Sequence, residues 1–63
     1  MQTKLIEKIR NNTRAITLYS DKDGVYYVSE KNGIVFKTVS FQSLTNALEY
    51  FNILSERFHN ESK

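Results

Sequence analysis

Apolar positions recur with helical spacing near the C-terminal end of the chain. Leu44, Ala47, Leu48, Phe51, Leu54 and Phe58 stand at i, i+3, i+4, i+7, i+10 and i+14, one continuous face over about four turns. Ser43 just precedes this run and suits an N-cap, because its side-chain oxygen can accept from an orphan N–H of the first turn. The pattern predicts a long amphipathic helix lying across a sheet. Tyr50 and Ile53 fall off the stripe, where they can receive another element or a second subunit.

Upstream, the periodicity changes from that of a helix to that of strands. Arg14–Tyr19, Val25–Glu30 and Ile34–Ser40 are rich in β-branched and aromatic residues, which fit a pleated, half-buried surface. Asp21-Lys22-Asp23-Gly24 separates the first two, with Asp favouring a turn start and Gly supplying positive φ. A calcium loop is not expected there, since its glycine comes too early for the ligand spacing. Lys31-Asn32-Gly33 separates the second and third. Asn-Gly between strands signals a hairpin through a type I′ turn, which needs positive φ at both central residues. The three strands are expected to form an antiparallel meander.

Residues 3–11 read as a short helix. Leu5, Ile6 and Ile9 share one stripe at i, i+1 and i+4, Thr3 suits an N-cap, and Asn11-Asn12 a stop. The expected fold is thus α+β in the order α-β-β-β-α: a short N-terminal helix, a three-stranded antiparallel sheet, and a long C-terminal helix on one sheet face. The expected core is Ile16, Leu18, Val28, Ile34, Phe36, Phe41, Leu44, Leu48, Phe51 and Leu54. Alternation then assigns Thr17, Tyr19, Tyr27, Ser29, Val35, Lys37 and Val39 to the opposite face. Pattern alone leaves Tyr26 and Tyr27 interchangeable.

Composition narrows the function classes. Sixty-three residues make one domain, here spanning 1–63, and a chain of this size buries only about 60% of its unfolded surface. At 40% hydrophobic and 13% aromatic it is too apolar for a disordered chain. It lacks cysteine, and His59 is the only histidine, so neither disulfides nor a structural zinc site is expected. No catalytic residue set or glycine-rich phosphate loop is present, so no enzyme and no cofactor is expected. His59, near the helix C-terminus, suits a solvent-facing residue facing the helix dipole. The N-terminal segment has no uninterrupted apolar run, which fits a cytoplasmic protein without a membrane partner.

Net charge is +2, unevenly spread. Through Ser40 there are seven basic residues against four acids; from Phe41 on there are two against three. An anionic partner is expected to prefer the first part. Two readings of the binding surface follow. In one, Arg14, Thr17, Tyr19, Tyr27, Ser29 and Lys37 on the open sheet face, with Lys4 and Lys8 from the N-terminal segment, bind nucleic acid. Rings stack on bases or sugars and cations neutralise phosphates. In the other, the chain is a protein-interaction module, a small inhibitor or accessory factor or a homodimer, with Tyr50 and Ile53 at the interface. By composition alone the tyrosines are first of all suited to being ordinary sheet formers and half-buried packing residues.

Residues 23–51 carry a further pattern. Asp23-Gly24-x-Tyr26 enters a strand, Asn32-Gly33 marks a hairpin, Phe36 lies in the third strand, and Phe41-x-Ser43-x-x-x-Ala47 leads into a helix bearing Phe51. This resembles the three-stranded-sheet-plus-helix DNA-binding domains of the AP2 type, also found as arm-binding domains of phage and transposon integrases. The resemblance implies a regulatory or mobile-element role, with the sheet entering the DNA major groove and the helix covering its back. Tyr19, Tyr27, Ser29, Val35 and Lys37 would then face DNA. The element order is also similar, in topology, to the double-stranded RNA-binding domain.

Overall fold

The computed structural model describes residues 3–61, with side chains through Phe58; the expectation for the His59 side chain lies outside the described residues. The order is β1 (Thr3–Arg10), β2 (Arg14–Asp21), β3 (Tyr26–Asn32), β4 (Val35–Phe41) and α1 (Leu44–Glu61). The strands form one antiparallel sheet in sequential order, β1-β2-β3-β4. The fold is therefore β-β-β-β-α, and the expected α-β-β-β-α order with three strands is corrected.

Residues 3–10 are a strand, not a helix. A helix this short is marginal in water and gains only what its docking supplies. Pairing with β2 instead gives the segment a hydrogen-bonded ladder from Thr3↔Asp21 to Arg10↔Ala15. The apolar spacing misleads because the strand is bulged. Leu5 pairs with Tyr19 and Glu7 with Leu18, so Ile6 is the extra residue between them. A bulge resets the alternation by one position, which turns a period-2 pattern into one that looks helical. The chain then turns through Asn11, whose Oδ1 accepts from the backbone N–H of Thr13 at 3.0 Å and of Arg14 at 2.9 Å. Asn11 N–H also donates to the Arg14 carbonyl at 2.9 Å.

The helix begins after Ser43, whose carbonyl accepts the Ala47 N–H at 3.1 Å, and it packs across β2, β3 and β4. Its stripe supplies Ala47, Phe51, Leu54 and Phe58 to the core, where they meet Ile16, Leu18 and Val28. Ile9, Tyr26, Phe41, Leu48 and Tyr50 close the core from its margins, and Leu44 is exposed at the helix start. No described helix is long and apolar enough to cross a membrane.

The third hairpin differs from expectation, with consequences for a whole strand. Asn32 pairs with Val35, so the loop is the two residues Gly33-Ile34. Gly33 has φ 64°, and no non-glycine residue described has positive φ. Only the first central residue is left-handed, as a type II′ turn requires, and not both as in type I′. The expected three-residue connection would have set Glu30 opposite Ile34. The observed two-residue loop inverts every side chain of β4, because the side-chain period is 2. Val39 and Phe41 thus point toward the helix. Ile34, expected in the core, is 100% exposed in the turn, and Phe36 lies on the open face, 66% exposed. The Tyr26–Tyr27 ambiguity also resolves: Tyr26 shares the face of Val28 and packs against the core, while Tyr27 faces away.

Candidate nucleic-acid interface

Paired residues share a sheet face, so the register lays out the uncovered face row by row. The first row is Arg10, Ala15, Lys31 and Phe36; the second is Lys8, Thr17, Ser29 and Thr38; the third is Leu5, Tyr19, Tyr27 and Ser40. Thr3 and Asp21 end the surface. Two cations and Phe36 therefore occupy one end, Lys8 and three hydroxyls the middle, and the two tyrosines the far end. Lys8, Arg10 and Lys31 are exposed, Thr17, Tyr19 and Tyr27 are half-buried, and Ser29 is buried among its neighbours.

The cationic end is built by two hairpin tips lying side by side. Gly33 N–H donates to the Thr13 carbonyl at 2.9 Å, tying the β3–β4 turn to the β1–β2 turn. Because Ala15 is small, the space between the Arg10 and Lys31 side chains stays open. A cleft of about 190 Å³ forms there, bordered also by Asn11, Asn12, Thr13 and Arg14. Its size and lining suit a phosphate group, held by two cations and polar loop groups.

The aromatic end is held by Asp21. Tyr19 and Tyr27 stack with ring centroids 5.2 Å apart and planes 20° from parallel. The Tyr27 hydroxyl donates to Asp21 Oδ2 at 3.0 Å, which prevents that ring from turning freely. Asp21 Oδ1 accepts the backbone N–H of Asp23 at 2.9 Å and of Val25 at 3.1 Å. These bonds, the one from Val25 foremost, hold the Asp21 carboxyl below its ordinary value of 3.8 against the opposing effect of burial. The same carboxylate, as acceptor, raises the Tyr27 phenol above its ordinary 10.0. Asp21 is the only acid among the strand residues of this face, and its charge is already engaged by three donors.

Of the residues anticipated from sequence, Lys8, Thr17, Tyr19, Tyr27 and Ser29 share the open face. Lys4, Arg14, Val35 and Lys37 do not: their partners Ser20, Asn32 and Glu30 lie on the helix side. Arg14 Nη2 donates to Glu30 Oε2 at 2.8 Å, with only 12% and 23% of the two side chains exposed. Its guanidinium also sits 6.0 Å from the centroid of the Phe58 ring. Arg14 is thus a packing residue. Lys37 stands opposite Glu30, displaced from the open face by the β4 inversion. Tyr50 is half-buried and packs on Phe41, centroids 5.5 Å apart, while Ile53 is 50% exposed on the helix.

Lys31 was not singled out from sequence, and Arg10 only within the basic N-terminal run Lys4, Lys8, Arg10 and Arg14. Lys8 and Arg10 stand two apart, and Lys31 stands two and four from Ser29 and Tyr27. That spacing carries the signal, once both segments are read as strands. Fold and site together define a small sheet-plus-helix domain with one covered face and one open, cationic and aromatic face. No protein family, characterised protein or solved structure matches the chain.

Proposed function

We propose that the chain is a small nucleic-acid-binding module that lays a single strand along its open sheet face. The observation that carries this reading is the charge distribution on that face: three exposed cations, Lys8, Arg10 and Lys31, and one acid whose oxygens are already engaged. The helix side differs, because Lys37 stands opposite Glu30 and Arg14 is paired with it. An anionic polymer is attracted to the first surface and not to the second.

The cations neutralise phosphates, and the cleft beside Ala15 takes one of them. Tyr19, Tyr27 and Phe36 offer ring surface for bases, which is tolerant of sequence because every base has a π-face. The hydroxyls of Thr17, Ser29 and Thr38 give hydrogen bonds to sugar and phosphate oxygens between the two ends. The likeness of residues 23–51 to AP2-type DNA-binding domains points to the same face only through Tyr19, Tyr27 and Ser29, since Val35 and Lys37 lie on the helix side.

The test is fluorescence anisotropy with a labelled single-stranded oligonucleotide and a duplex of the same sequence. Three phosphate contacts give a log–log salt slope of roughly −2 for a single strand, hence roughly a 20-fold loss between about 50 and 200 mM salt. Lys8→Gln/Arg10→Gln/Lys31→Gln should flatten the slope and remove binding. Absence of binding to either nucleic acid at low salt, or a triple variant that binds like the wild type, overturns the reading. Preference for the duplex would move it to groove binding.

A further inference from the structure

An open four-stranded sheet has two edges, each presenting unpaired backbone N–H and C=O groups. The two edges of this sheet are built differently. β1 carries Lys4, Glu7, Lys8 and Arg10 and is interrupted by the bulge at Ile6; charges and bulges are devices that discourage another strand from pairing. β4, Val35-Phe36-Lys37-Thr38-Val39-Ser40-Phe41, has a single charge and no proline. Its register against β3 is unbroken from Tyr26↔Phe41 to Asn32↔Val35. Around it lie Ile34 in the turn, Val35, 65% exposed, and Phe36.

A second copy of β4 fits this edge in a register that keeps its one charge from facing its mate, with the two-fold axis through Thr38. Antiparallel pairing of β4 with β4 of a second copy sets Thr38 opposite Thr38, Phe36 opposite Ser40, Val35 opposite Phe41 and Lys37 opposite Val39. No like charges face each other directly, which would be destabilising. The exposed Phe36 and Val35 each gain a neighbour. On the helix side, the Phe41–Tyr50 contact shows that the Tyr50 flank of α1 leans toward β4. Ile53, half exposed, follows Tyr50 by three residues along that flank.

We infer that β4 is a dimerisation edge, through which two copies of this chain pair as one continuous eight-stranded antiparallel sheet. Paired residues share a face, so both helices lie on one side and the two open faces join on the other. At ~4.8 Å between strands the joined sheet is roughly 34 Å across. Lys31 and its symmetry mate are then separated by three strand spacings and four residues along β4, roughly 20 Å. Each protomer contributes its own cationic end to the joined surface. The pairing stands on the edge alone and does not depend on the nucleic-acid reading.

The test is sedimentation velocity without nucleic acid, from micromolar to millimolar protein, on the wild type, Thr38→Lys and Thr38→Glu. Thr38 is exposed, and each substitution sets like charges against each other only at the two-fold axis. The wild type is expected to dimerise, and each variant to keep the wild-type circular dichroism and weaken the dimer roughly tenfold or more. Mixing the two variants in equal amounts is expected to restore it, because lysine then faces glutamate. A wild type that stays monomeric at millimolar concentration overturns the inference. So does a dimer indifferent to both substitutions, or a mixture no better than its components.

Discussion

Removing either partner of the Arg14–Glu30 pair should destabilise the fold. The two residues are diagonal neighbours on the helix side of the β2–β3 ladder, since Ile16 stands opposite Glu30 and Asn32 opposite Arg14. Their 2.8 Å contact is charge-assisted and mostly shielded, and Phe58 of the helix flanks the guanidinium. A hydrogen bond to a charged group is worth about 1.5–3 kcal/mol. Residual exposure at Glu30 screens part of this, so Glu30→Gln should cost ~1–2 kcal/mol. Arg14→Met should cost a similar ~1–2 kcal/mol, since it keeps an apolar stem over Phe58 but loses the cation–ring attraction. A chain of this size has roughly 3–9 kcal/mol in total, so either change removes a sizeable share. Melting temperature should fall by roughly 4–16 °C. Thermal unfolding followed by far-ultraviolet circular dichroism measures both single variants and the double variant. The double variant should lose less than the sum of the singles, because the second substitution removes a group already left without its partner. Single variants that melt like the wild type, or effects that simply add, would refute this account of Arg14.

Two further outcomes follow from the register and from Asp21. Phe51→Ala empties a buried site and should cost about 3–5 kcal/mol, close to the whole stability of the domain. Phe36→Ala, on the exposed face of β4, should change a urea midpoint little in the monomer, and the reverse ranking would mean the β4 faces are misassigned. Asp21 has a lowered folded pKa, so its contribution is present above 3.8 and is lost as pH falls through the lowered value. Tyr27 has a raised folded pKa, so its contribution is present below 10.0 and is lost as pH rises through the raised value. Melts across pH should therefore show Tyr27→Phe without the part of the alkaline decline that the phenol causes. An acid decline should remain in that variant, because the Asp23 and Val25 bonds to Asp21 persist. An unchanged alkaline limb would show that the phenol–carboxylate bond contributes nothing.

The long helix was legible in the sequence because its apolar stripe repeats over many turns, so no single residue decides the reading. The cores of β2 and β3 were legible for a similar reason. Ile16, Leu18 and Val28 alternate with polar or tyrosine neighbours, and Asp21 to Gly24 carries its own turn chemistry. Four of the anticipated site residues, Thr17, Tyr19, Tyr27 and Ser29, follow from that alternation, whereas Lys8 reached the face through a strand and not a helix.

What the tertiary structure alone decided are two matters of phase. Whether residues 3–10 join the sheet depends on the ladder that β2 offers, and the bulge at Ile6 hides the strand period from any local window. Which way β4 faces depends on whether the connection is the two residues Gly33-Ile34 or the three residues Lys31-Asn32-Gly33. Ile34 and Phe36 compete on nearly equal hydrophobic terms with Val35, Val39 and Phe41 for the inner face. Long-range packing under the helix favours the second set, and that choice carries Lys37 off the open face and leaves Phe36 on it. Composition and local pattern can thus name the elements. The side a strand presents is set by its partners, because a one-residue change in a loop costs little locally and inverts everything beyond it.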